Sequence, residues 1–109
     1  MNVTAEHITR IADFAEARID EQFTGDLASR HWDKDPVARS LRALRRVVQE
    51  IRSKSALEDQ RADPNLSVAV NVALTYAWGE LVGVAQQWDD HPDYLPEFAL
   101  LAHQLEATP

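Results

Sequence analysis

The chain has 109 residues, of which 45% are hydrophobic and 27% charged, and it contains no cysteine. This composition is typical of globular proteins, so we expect one folded domain over residues 1–109 rather than a disordered chain. The lack of cysteine excludes disulfides, thiolate zinc sites and a cysteine nucleophile, and it favours the cytoplasm.

The net charge is −7, and the charges are unevenly placed. Residues 37–54 carry six basic side chains and one acid, which gives +5, so the rest of the chain sums to −12. We therefore expect an acidic body with one basic helix.

The first helix is predicted over residues 5–23, with Thr4 as its N-cap and Gly25 as its end. Its apolar residues recur at the three- and four-residue steps of a helix with one buried face. These residues are Ile8, Ile11, Ala15, Ile19 and Phe23.

A second helix is predicted to begin at Asp35 and Pro36, because aspartate caps free N–H groups and proline fits the first helical position. It should fray near Ala56. Its narrow apolar stripe is typical of a helix in a bundle, and arginines fill the other faces. The stripe consists of Val37, Leu41, Leu44, Val48 and Ile51.

Residues 58–64 are predicted to form a polar loop, and Asn65 to cap a third helix that ends at Trp88. The main apolar stripe of this helix contains Leu66, Val70, Ala73, Leu74, Ala77, Leu81, Val84 and Trp88. A second stripe on its flank contains Val68, Val72, Tyr76 and Val82. A helix apolar on so many sides is either central in its domain or shared with another subunit, so we expect a homodimer through helix three. Polar residues interrupt the apolar run, which argues against a membrane span.

The chain then turns over residues 89–94, and Pro96 is predicted to open a short last helix that reaches residue 106. Phe98, Leu101 and Leu105 are its apolar residues. The predicted fold is therefore all-α, an antiparallel bundle of three long helices plus a short C-terminal fourth helix.

No sequence motif for catalysis or nucleotide binding is present, so we expect a protein that is not an enzyme and that uses no cofactor. The arginines of helix two could contact the phosphates of a nucleic acid. The acidic body makes nucleic acid the less favoured partner. The alternative is that the arginines pair with Asp13, Glu16 and Asp20 on helix one. Gly79 and Gly83, one turn apart, are expected to make room for a bulky neighbour, such as a tryptophan.

The loop before helix two and residues 89–98 should meet at one end of the bundle. The candidate binding residues there are Trp32, Trp88, His91, Asp93, Tyr94 and Phe98. We expect Tyr94 to turn toward Trp88 or Trp32, and Asp93 to accept hydrogen bonds from local N–H groups. Such a segment could be a structural latch with a binding site on its outer face. Alternatively, His31, Asp33 and His91 could ligate a divalent metal ion.

Three stretches of the sequence resemble an uncharacterised family of short actinobacterial and actinophage proteins, a domain of unknown function. They are ITRIADFAEARIDEQ, RHWDKDPVARSLRALRR and LVGVAQQWDDHPDYLPEF, and the most specific match is the motif HPDY at residues 91–94. This chain departs from the family in having Trp88 where a tyrosine is common, and in the helix after Pro96. The resemblance implies a bacterial or phage cytoplasm, and it assigns no activity to any residue.

The sequence as a whole favours a small interaction protein, related to phage or prophage proteins, that binds a protein partner. Nucleic-acid binding through helix two and metal-dependent activity at the His/Asp-rich end remain as alternatives.

Overall fold

The computed structural model describes residues 3–24 and 35–105, and every regular element within these ranges is a helix. The long helices are α1 (Ala5–Thr24), α2 (Pro36–Arg52) and α3 (Ser67–Ala85), and α4 (Ala102–Leu105) is a single turn. Three 3-10 helices, Ser53–Gln60, Gln86–Trp88 and Pro96–Ala99, join or follow them. The prediction of an all-α fold with three long helices and a short last one is confirmed.

Helix α1 begins at the predicted cap. The Thr4 hydroxyl accepts a hydrogen bond from the His7 backbone N–H at 3.2 Å, and the His7 Nδ1 accepts one from the Thr4 N–H at 3.0 Å. This exchange is the reciprocal geometry of a capping box, with histidine in place of the usual glutamate. The predicted face is also correct, because Ile8, Ile11 and Ile19 are fully buried.

The start of α2 is also as predicted, since the Asp35 carboxylate accepts from the N–H groups of Val37 at 2.8 Å and Ala38 at 3.3 Å. Two expectations are wrong. Val37 is 54% exposed and does not join the core. The α-helix ends at Arg52 and continues as a 3-10 helix to Gln60, where we predicted fraying and a loop.

The 3-10 helix Ser53–Gln60 is ordered by contacts that lie far away in sequence. Leu57 packs against the core, and the Glu58 carboxylate accepts the Ala5 N–H at the start of α1. Just beyond this helix, the Arg61 guanidinium donates to the Val3 carbonyl and to the Asn71 side chain. These contacts tie the connection between α2 and α3 to both α1 and α3.

Helix α3 buries the predicted stripe through Val70, Leu74 and Leu81. Asn65 is not its cap, because the Asn65 N–H donates to the Asp63 carboxylate and Leu66 occupies the cap position without a side-chain bond. Leu66 itself is 39% exposed, contrary to its predicted place in the core.

The C-terminal segment is two short helices instead of the single predicted one. Leu100 separates them in an extended conformation with ψ 147°, and its carbonyl accepts a hydrogen bond from the buried Trp78 Nε1 at 2.9 Å. The Leu100 carbonyl therefore accepts from the Trp78 side chain, whereas in a continuous helix it would accept from a backbone N–H of the same helix. Phe98 and Leu105 are buried as predicted, whereas Leu101 is 62% exposed.

Replacing Leu81 with alanine should lower the free energy of unfolding by about 2–5 kcal/mol, because a fully buried leucine leaves a cavity. Chemical denaturation followed by circular dichroism measures this loss. Leu66→Ala is the matched control and should cost much less. Equal costs for the two variants would contradict the placement of the α3 core.

His7 should make folding sensitive to mild acid. Burial, aided by the charge of Arg10 and opposed by Glu97, lowers the pKa of His7 below its usual value of 6.5. Well above pH 6.5 the ring is neutral in both the folded and the unfolded chain. Below it the unfolded chain binds the proton first, so the stabilisation that His7 provides is lost as the pH falls.

The control is His7→Gln, which keeps an acceptor for the Thr4 N–H but does not titrate. Unfolding free energies measured between pH 7.5 and 5 should fall more steeply for the native chain than for His7→Gln. Parallel curves would show that the capping histidine is not the group involved.

Candidate functional site

The HPDY segment, residues 91–94, is held against α1 by a buried arginine. Arg18 is only 6% exposed, and its Nη1 lies 3.0 Å from the His91 Nδ1 and 3.5 Å from an Asp93 carboxylate oxygen. Its Nη2 donates to the Glu21 carboxylate at 2.9 Å. The guanidinium therefore joins two turns of α1 to the HPDY segment.

The guanidinium of Arg18 also lies over the ring of Phe14, 5.0 Å from its centre. A buried cation is tolerated when it is paired and hydrogen-bonded, and a ring face adds a further attraction. Arg18 was not among the predicted site residues. The signal was present, since Phe14, Arg18 and Glu21 are spaced by four and three residues and so share one face of a helix.

The tautomer of His91 follows from its neighbours. Its Nδ1 faces two donors, the Arg18 guanidinium and the Asp93 backbone N–H, each at 3.0 Å. Only a nitrogen with a free lone pair can accept from both, so we assign Nδ1 as the acceptor and Nε2 as the nitrogen that carries the hydrogen. That nitrogen points toward Glu21, 3.7 Å from a carboxylate oxygen. The Asp93 carboxylate pairs with Arg18, where we had expected it to bind local N–H groups.

An aromatic cluster continues the contact between this segment and α1. The ring of Tyr94 packs edge-on against the rings of Phe14 and Phe98, and the distance between ring centres is 5.6 Å in both pairs. The ring centres of Phe14 and Phe98 are 5.3 Å apart. Burial, together with the charge of Asp89, raises the pKa of Tyr94 above its usual value, so the phenol stays protonated. Tyr94 was expected to contact Trp88 or Trp32, but its ring partners in the described part of the chain are on α1 and in the last segment.

The predicted site residues are thus brought together only in part. His91, Asp93, Tyr94 and Phe98 gather on α1, with Phe98 buried and Trp88 half-buried against the core. Trp32 and the metal candidates His31 and Asp33 lie outside the described residues. Within residues 3–24 and 35–105, no three His, Asp or Glu side chains lie close enough together to hold a metal ion.

Two basic side chains of α2, Arg45 and Arg52, form the predicted ion pairs with α1. Arg45 lies 3.2 Å from Asp20, while Arg52 contacts Asp13 and lies 3.3 Å from Glu16. Burial alone would lower the pKa of Arg52. The hydrogen bond and the charge of Asp13, together with Glu16, outweigh this effect and raise the pKa above its usual value. Part of the charge of α2 is therefore neutralised within the molecule.

A second candidate surface lies on α3, on the side away from α1. Val68, Val72 and Tyr76 are 74%, 49% and 71% exposed. Gly79 and Gly83 continue the same line along the helix and are also exposed. We call these five residues the α3 outer face. Contiguous apolar surface of this kind is typical of a binding interface.

The two glycines have no packing role within the described structure. A methyl group added at either would meet no atom within 4 Å, so the predicted bulky neighbour is absent from the described residues. A glycine inside a helix costs about 0.5–1 kcal/mol relative to alanine. A groove of about 480 Å³ lies next to Gly79, between Trp78, Val82 and Leu101.

The helical stretch Ser67–Trp88 is long and apolar enough, by length and composition, to cross a membrane. Its mean hydropathy is 1.4, and 33% of its most apolar window is buried against the rest of the molecule. A core helix passes the same test, so this feature alone is weak evidence for a membrane span.

Comparison of the chain with known protein families, with curated proteins and with solved structures gave no match.

Removing the imidazole acceptor should loosen the HPDY segment. His91→Ala leaves the buried Arg18 and the Asp93 N–H without their shared acceptor, which should cost about 1–3 kcal/mol of unfolding free energy. His91→Asn is the control, because its side-chain oxygen occupies nearly the same place as Nδ1. Thermal melts should show a large loss for His91→Ala and a small one for His91→Asn.

The same melts repeated with a chelator separate this account from a metal site at His91. If the chelator lowers the melting temperature of the native chain to that of His91→Ala, the residue acts through a metal ion and the Arg18 account is wrong.

Proposed function

We propose that this chain is a non-enzymatic protein–protein interaction module, and that it binds its partner through the α3 outer face. The observation that carries this proposal is the exposure of Val68, Val72 and Tyr76 along one line of the most apolar helix in the chain. Exposed apolar side chains in one line are unfavourable in water unless a partner covers them.

The contacts of the HPDY segment also support this proposal, because most of its side chains are already engaged within the domain. His91 and Asp93 are engaged with Arg18, and Phe98 is buried. Their side chains therefore have contacts inside the domain, while those of the α3 outer face point into solvent. Of the residues first considered for binding, Trp88 and Tyr94 keep part of their surface exposed and can contribute to a second contact.

Nucleic-acid binding through α2 is the weaker alternative. Arg45 and Arg52 are engaged by carboxylates of α1, and the chain as a whole carries −7. Both features reduce the attraction to phosphates. The same ion pairs support an antiparallel arrangement, because Arg45 meets Asp20 while Arg52, further along α2, meets Asp13, earlier on α1.

We further propose a cytoplasmic setting and a relationship to phage or prophage proteins. The first is supported by the absence of cysteine, and the second by the HPDY and ARIDE stretches of the sequence. A module of this size with no catalytic motif would act by occupying a surface of its partner.

Val72→Asp tests the proposal by placing a charge in the middle of the α3 outer face. The immobilised native chain is expected to retain its partner, either a protein from a bacterial lysate or free native chain added at tens of micromolar, and Val72→Asp should lose it, because a buried unpaired charge opposes association. Mass spectrometry of the retained proteins measures the effect.

The matched control is Val47→Asp on α2, since Val47 is 46% exposed and Val72 is 49% exposed. Circular dichroism should show the same helix content for all three chains. If Val72→Asp retains the same proteins as the native chain, the α3 outer face is not the binding surface.

A further inference from the structure

Helix α3 carries an apolar face that no described element covers. Val68, Val72 and Tyr76 are 74%, 49% and 71% exposed, and Gly79 and Gly83 extend the same line. The face runs from residue 68 to residue 83, which is about 22 Å at the helical rise of 1.5 Å per residue. It is therefore long enough for a second helix to lie along it.

Charge restricts where a second copy of the chain could approach. Each copy carries −7, so most contacts between two copies bring like charges together. Helix α3 is different, because Glu80 is its only charged residue. Two copies that meet along α3 bury apolar side chains and bring few like charges close to one another.

The α3 outer face is complementary to itself in shape. Val72 and Tyr76 project from the first half of the face, whereas Gly79 and Gly83 leave depressions in the second half. The groove of about 480 Å³ widens the depression at Gly79. If a second α3 lies alongside in the opposite direction, each projecting residue faces a depression. A parallel second helix would instead place Tyr76 on Tyr76.

We propose that the partner at this face is a second copy of the same chain, related by a two-fold axis near residues 77 and 78. This proposal rests on the proposed function, namely binding through the α3 outer face. Tyr76 of one copy lies over Gly79 of the other and enters the groove beside Trp78. Val72 lies over Gly83. The close approach of the two helices accounts for glycines that have no function in packing within one copy.

Light scattering is the first measurement. The native chain at tens of micromolar should have twice the mass of 12.3 kDa, and Gly79→Leu should have the monomer mass with equal or higher helix content. A Cβ added at Gly79 meets no described atom outside its own helix, and a thermal melt of Gly79→Leu that matches the native chain shows that a loss of association does not come from misfolding. A native chain that stays monomeric, or a Gly79→Leu chain that still dimerises, would overturn the proposal.

The orientation can be tested because the chain has no native cysteine. We expect Val72→Cys mixed with Gly83→Cys to form an intermolecular disulfide rapidly under mild oxidation with copper–phenanthroline. Each variant alone should cross-link slowly, as should the control Val47→Cys. Rapid cross-linking of Val72→Cys with itself indicates a parallel pair and overturns the two-fold arrangement.

Two further outcomes distinguish this proposal from the function on which it rests. If the native chain is monomeric but Val72→Asp still loses proteins captured from the lysate, the interaction surface is correct and the second copy is wrong. If the native chain is monomeric and sediments with phosphatidylcholine–phosphatidylglycerol vesicles, while Val72→Asp does not, the face binds a lipid surface and both proposals fail.

Discussion

The one-sided burial of α3 is the constraint on which the rest of the structure depends. Leu74 and Leu81 are fully buried on the side toward α1, whereas no element within residues 3–24 and 35–105 covers Val68, Val72 and Tyr76 on the other side. Among the described elements, α1, α2 and the short C-terminal helices pack against one side of this apolar helix. The exposed side is the reason that we propose an interaction function for this protein.

Two polar anchors hold the last third of the chain on this framework. Trp78 on α3 binds the Leu100 carbonyl, and Arg18 on α1 binds His91 and Asp93. Both anchors are buried side chains that hydrogen-bond to segments without long helices. Helices as short as these C-terminal elements are not stable alone in water, so they depend on these two contacts to stay folded. The contacts of Arg18 with His91 and Asp93 hold the HPDY segment against α1.

The parts of the fold that could be predicted from sequence are those determined by neighbouring residues. The caps at Thr4 and Asp35 and the buried stripe of α1 depend on residues within one or two turns, so local patterns identified them. The pairs Trp78–Leu100 and Arg18–His91 are separated by 22 and 73 residues. No local pattern specifies such partners, and consequently the break at Leu100 and the contact of Arg18 with His91 were missed. The glycines of α3 were noticed, but their surroundings depend on which helices pack nearby.

The most direct test of one-sided burial is a concentration series of amide spectra by nuclear magnetic resonance. Amide shifts should change with concentration along the α3 outer face, at Val72, Tyr76 and Gly79 above all, while the amides of the HPDY segment stay in place. Shifts that do not change at any concentration, or that change at residues 91–94 instead, would contradict the proposal that this protein binds through the α3 outer face.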